Sequence, residues 1–126
     1  MIARAYLISP IVDMERLIRG MMSRAGVTEE ELRAKCVIRT ASGEDLSWEY
    51  LCWVREHPVV WDVPSAILYG STDELTAYDT VYAFAQTHDA SLTVMKDGEH
   101  WFHTEEQMRF LDAWIEAERR RNVWAV

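Results

Sequence analysis

The sequence contains no apolar run approaching the ~20 residues that a bilayer-spanning helix needs. Its first ten residues, MIARAYLISP, lack the charged, long-apolar and small-residue succession of a secretory signal. These absences lead us to expect a cytoplasmic protein with no membrane partner. Cysteine is scarce as well. Cys36 and Cys52 have no C-x-x-C spacing, which fits buried thiols in a reducing compartment better than a disulfide framework. Positive charge is outnumbered, with 13 Lys and Arg against 21 Asp and Glu and a net charge of −8. That excess of carboxylates argues against a phosphate-binding surface, so no nucleic-acid partner is expected. The one dense basic run, Arg119-Arg120-Arg121, falls at the expected end of the last helix, where it complements the helix dipole. Internal repeats and low-complexity segments are also missing.

What remains is a chain of 126 residues, enough for one core and one domain. Apolar residues at consecutive positions mark strands buried on both faces, as in parallel sheets. Such runs predict strands at about 5–9, 65–69 and 91–95. Ser9-Pro10 closes the first, because proline cannot continue a ladder. A helix is predicted from Asp13 to near Gly26, with Leu17, Ile18, Met21 and Met22 on one stripe. Thr28 and Glu31 form a capping box that opens a second helix through Cys36. The run RTASGED reads as loop, broken by Ser42-Gly43. Helical spacing returns at Trp48, Leu51, Cys52 and Val54, and again at Val81, Tyr82, Phe84 and Ala85. Thr104 and Gln107 form a second capping box, and Met108, Leu111, Trp114 and Ile115 form the buried stripe of the last helix. From residue 63 onward strand and helix alternate, so the fold class is α/β: three parallel strands with right-handed crossovers.

In open parallel sheets ligands bind beyond the carboxyl ends of the strands. That rule selects three loops: Ser9-Pro10, residues 70–74 and residues 96–103. The second offers Asp73 and the third offers His100. An Asp and a His at neighbouring strand ends can serve as the orienting acid and general base of a nucleophilic triad. Other readings stay open. Asp73 can be a turn carboxylate. His100 can be a packed structural histidine, or a metal ligand with His103 and with Glu99 or Asp73. His-x-x-His in a loop has low specificity without a third fixed ligand, so no metal and no cofactor is expected. Glu99 reads as a solvated neighbour of the histidine, and Trp101 to His103 as packing between its loop and the final cap.

Three local sequences carry a resemblance to a family. VPSAILYGSTDELT resembles the strand and loop of α/β-hydrolases that hold the triad acid in a G-x-x-D pattern, which Gly70 and Asp73 match. LTVMKDGEHWFH is similar to that family's last strand and histidine loop, and ISPIVDMERLI to its sixth strand and the start of its lid. The order, acid before histidine, is also the family's order. The serine aminopeptidase, esterase and monoacylglycerol-lipase-like group is the nearest in flavour, and the match spans the whole chain but only the C-terminal half of such an enzyme.

The resemblance implies a single partial domain over 1–126, with a lid-like helical excursion at 11–62 and a strand-helix-strand-helix part at 63–121. It implies hydrolysis of an ester, thioester or amide, with Asp73 and His100 as catalytic residues. Trp48, Trp53 and Trp101 would then line a pocket for a small acyl or apolar ligand, although Trp at helical spacing is more often core. The departure is equally informative. The five glycines, at 20, 26, 43, 70 and 98, bracket no serine in a G-x-S-x-G elbow. The chain is therefore expected to be inactive alone, its nucleophile lying on a missing N-terminal half. The alternative is a non-catalytic, homo-oligomeric binding module. In either case the unpaired edge of the first strand is expected to recruit that half or a second copy, giving a homodimer.

Overall fold

A computed structural model describes residues 4–124. The elements run β1 (Ala5–Ile8), α1 (Met14–Ala25), α2 (Glu29–Lys35), β2 (Val37–Arg39), β3 (Asp45–Ser47), α3 (Trp48–Glu56), β4 (Ser65–Gly70), α4 (Tyr78–Thr87), β5 (Ser91–Met95) and α5 (Glu105–Trp124). They form two compact units, one of residues 13–60 and the other of the rest of the described chain. None of the described helices is long and apolar enough to cross a membrane.

The second unit is a parallel sheet in the order β1-β4-β5. β4 lies between the other two, and all six of its residues are buried. Side chains alternate along a strand, so its two faces build two separate cores. Ala66 and Leu68 pack with Met95, Phe102 and Trp114, with Phe110, Leu111 and Ile115 against them. Ile67 and Tyr69 pack on the other face with Val81 and Ala85 of α4. A strand buried on both faces favours apolar side chains on both, which is why residues 66–69 read as a continuous apolar run, while the buried Ser65 hydroxyl donates to the Val63 carbonyl and accepts from Trp61 Nε1. β1, at the edge, is only partly buried, and its last residue, Ile8, is exposed.

The unit at 13–60 packs Ile18, Met22, Leu32, Leu46 and Leu51 into one core. Complete burial of side chains such as Leu32 and Leu51 stabilises by about 1.5–3 kcal/mol each. Each of its helices is capped by its own sequence. Asp13 accepts from the Arg16 amide, Thr28 from Glu31, and Ser47 from Tyr50. Gly26 ends α1 in the left-handed conformation, which glycine adopts without a Cβ penalty.

Three expectations need correction. Residues 40–44 of RTASGED are loop as expected, but its end residues Arg39 and Asp45 belong to two strands: β2 and β3 pair antiparallel, with Ile38 opposite Leu46, around the turn that holds Ser42-Gly43. The breaker residues are the tip of a hairpin whose short strands each place one apolar side chain on the core. Cys36 is exposed rather than buried, because it sits at the C-cap of α2 with φ of 67°. On α5, Met108 lies outside the buried stripe and is exposed, while Trp114 is buried.

Candidate active site

The sheet brings the carboxyl ends of its three strands together, and their loops hold one another by hydrogen bonds. The Ser71 amide donates to the Met95 carbonyl at 3.0 Å. The Thr72 amide and hydroxyl both donate to the Gly98 carbonyl, at 2.9 and 2.7 Å. The Asp97 amide returns a bond to Ser71 Oγ at 2.7 Å, from a backbone with φ of 61°. Backbone approaches backbone so closely here that a Cβ on Gly70 would lie 2.3 Å from the Gly98 carbonyl oxygen. Glycine at 70 is thus a requirement of space.

Across this junction His100 Nδ1 lies 2.7 Å from Asp73 Oδ2. The Asp73 side chain is 1% exposed and that of His100 31% exposed. A carboxylate only accepts, so Nδ1 carries the proton and Nε2 of the neutral ring is left as the acceptor. The other carboxylate oxygen of Asp73, Oδ1, accepts from the Leu75 and Thr76 amides at 2.8 and 3.0 Å. Both readings of Asp73 therefore hold together: one oxygen organises a turn and the other orients the histidine. The same carboxylate acts on Tyr69, whose hydroxyl donates to the Thr76 carbonyl. Burial first, then the negative charges of Asp73 and Asp79, raise the Tyr69 phenol above its usual range.

The remaining candidates are distributed differently. Glu99 does not face His100. Its Oε2 accepts from Gln107 Nε2 at 3.0 Å and lies 3.3 Å from His103 Nδ1, so it is tied to the start of α5 rather than simply solvated. Thr104 caps that helix by accepting from the Gln107 amide, and Gln107 Oε1 returns a bond to the His103 amide. Among the described residues no three His, Cys, Asp or Glu side chains converge as a metal-ligand set. Trp101 is 76% exposed, so it is not packing between loop and cap. It lines two open cavities beside His100. One, of about 390 Å³, is polar and includes Glu74, Glu99 and His103. The other, of about 650 Å³, is apolar and includes Ile8, Phe102, Met108 and Leu111. Trp48 is half-buried against the core of the 13–60 unit, and Trp53 is exposed on α3, stacked on His57 at 4.2 Å.

Sequence reasoning selected the loops that hold Ser9, Ser71 and Thr72 but gave their hydroxyls no role. Ser-Thr inside Gly-x-x-Asp is a turn signal, but nothing local says that these hydroxyls reach residues 26 positions away.

No protein-family model and no curated protein matches this sequence. Solved structures do. Mouse alpha/beta hydrolase domain-containing protein 10 aligns over 94% of this chain and 52% of its own, with a TM-score of 0.74 and 15% identity. A protein from Agrobacterium vitis S4 named as a hydrolase aligns over 93% of this chain and 49% of its own, with a TM-score of 0.72 and 20% identity. Est1E from Butyrivibrio proteoclasticus, bound to ferulic acid, gives a TM-score of 0.71 at 16% identity, over 97% of this chain and 51% of its own. The fold is that of the α/β-hydrolases. The chain spans about half the length of the structures it matches, consistent with their C-terminal half.

Proposed function

We propose that this portion of an α/β-hydrolase fold supplies the orienting acid and the general base of a serine hydrolase, Asp73 and His100. The observation that carries the reading is the 2.7 Å Nδ1–Oδ2 bond between a buried carboxylate and a partly exposed imidazole at adjacent strand ends. With Nδ1 protonated, Nε2 accepts the proton of a serine hydroxyl as its oxygen attacks the carbonyl carbon of an ester, thioester or amide. Asp73 stabilises the imidazolium that forms, and His100 then delivers that proton to the leaving group. The resulting acyl-enzyme is hydrolysed by water activated at the same Nε2. The sequence has no G-x-S-x-G elbow, so the serine comes from polypeptide outside these residues.

A fluorophosphonate probe tests this on residues 1–126 and on the same chain joined to any polypeptide encoded directly upstream. The expected result is no labelling of 1–126 alone. In the longer protein a serine should label, and Asp73→Asn or His100→Ala should abolish it. Labelling that survives His100→Ala would overturn the assignment.

A second reading rests on the apolar cavity beside Ile8, whose lining residues Ile8, Met108 and Trp101 are exposed by 41, 42 and 76%. Surface of that kind, next to an edge strand, favours association of this chain as a homodimer that binds a small apolar ligand. Sedimentation equilibrium at micromolar concentration is the measurement, and a monomer there removes this reading.

A further inference from the structure

Ser9 combines three features that are informative together. It directly follows Ile8, the last residue of β1, and its amide still donates to the Leu68 carbonyl of β4 at 2.9 Å. Its φ is +49°, in the left-handed region that L residues other than Asn, Asp and Gly seldom occupy. It also precedes Pro10, whose ring restricts the preceding residue towards extended conformations. Glycine or asparagine would satisfy such a backbone with less strain, so a serine there calls for a use of its side chain. That use is visible. Ser9 is buried, and its hydroxyl donates to the main-chain carbonyl of His100, 91 residues further along, at 2.5 Å.

We propose that Ser9 is a positioning residue for His100, acting through the backbone of the histidine loop and not on any reacting atom. The segment 98–100 is held at both ends. Thr72 fixes the Gly98 carbonyl from the β4 loop, and Ser9 fixes the His100 carbonyl from the end of β1. The imidazole is then aimed by Asp73, whose own carboxylate is fixed by two amides. Without the Ser9 hydroxyl the carbonyl end of the loop is released, and the His100 ring keeps a single directional restraint. Strain retained next to a candidate active site, and used to direct a hydrogen bond into it, is how such residues contribute to preorganisation. The proposal rests on the reading of His100 and Asp73 as an acid–base pair.

The test is the proton on His100 Nδ1, which a short bond to a carboxylate places at low field in the proton NMR spectrum and shields from solvent exchange. Asp73→Asn should abolish that resonance in the purified chain. Ser9→Gly relaxes the backbone strain while removing the donor, and Ser9→Cys keeps the side-chain shape with a much weaker donor. Both variants should remain folded, and in both the Nδ1 proton should exchange roughly tenfold faster, the scale set by one lost hydrogen bond. Unchanged exchange in Ser9→Gly would mean that Ser9 serves only the turn, overturning the proposal while the acid–base pair stands. Absence of an Asp73-dependent resonance in the unsubstituted chain would overturn both. Unchanged exchange in Ser9→Cys while Ser9→Gly accelerates would assign the effect to lost packing and would also overturn the role of the hydroxyl.

Discussion

The two units of this chain are held together in different ways. In the unit at 13–60 the helix starts are secured locally, and an ion network then joins the helices. Three helices carry side-chain N-caps from the residue just before them, and Glu15, Arg19, Glu29 and Arg55 form a surface ion network of 2.7–3.4 Å contacts. The sheet unit depends on residues distant in sequence. β1 pairs with a strand that begins at Ser65, α4 follows Ala77, which offers no side-chain cap, and the site joins Ser9, Asp73 and His100. The difference teaches that local signals suffice to start the helices of the 13–60 unit, whereas the candidate site exists only once strand ends have been brought together.

The largest expected effect should come from the helical core. Leu51→Ala removes a completely buried side chain there, and urea unfolding should show a loss of about 2–5 kcal/mol. A loss below that range would mean that this core collapses around the gap and that its cohesion lies more in local caps than in packing.

Two glycines sharpen the contrast. Gly70→Ala forces a methyl against the Gly98 backbone and should destabilise by about 1–3 kcal/mol, because the clash is with main chain and not with the end of a flexible side chain. Gly26→Ala meets nothing within 4 Å and is opposed only by its φ of +67°, at a cost of about 1–2 kcal/mol. Thermal melts of both variants, with the low-field His100 proton as a site probe, check this. Loss of that proton in Gly26→Ala but not in Gly70→Ala would break the comparison.

The smallest effects are those of pH, and they take opposite signs in the two units. Tyr69 has its phenol raised by burial and by nearby carboxylates, so its contribution is fully present below its ordinary value near ~10 and is lost as pH rises through the raised one. Tyr69→Phe should therefore flatten the alkaline decline in Tm. Glu15 is lowered, chiefly by its hydrogen bond to Arg55 and then by Arg19. Its contribution is present above ~4.3 and lost as pH falls through the depressed value. Glu15 is well exposed, so Glu15→Gln should flatten the acid decline only slightly, by about 0.2–1 kcal/mol at neutral pH. Acid and alkaline Tm profiles of the two variants measure this. A parallel shift with no change of slope would remove the titration argument.

Much of this was legible because each signal was local. Apolar runs located all three sheet strands, and Thr28 and Thr104 located two helix starts. Asp73 and His100 could be singled out because each is polar and lies just past such a run. The hairpin at 37–47 was hidden because its strands are too short for a period-two pattern to stand out against Ser42-Gly43. Met108 misled because a helical stripe gives the direction of a side chain and not whether anything lies opposite it.

By itself, then, the sequence determined the helices, the three strands of the parallel sheet with the alternation that makes it parallel, and the two residues on which acid–base chemistry can rest. Those properties follow from periodicity and from the conformations of single residues. The tertiary structure alone decided that Ser9 reaches His100, that Thr72 holds Gly98, and that Glu99 turns to His103 and Gln107 instead of to the candidate base. A hydrogen bond is directional over about 3 Å, and only the packed sheet brings donors and acceptors from opposite ends of the chain within that reach.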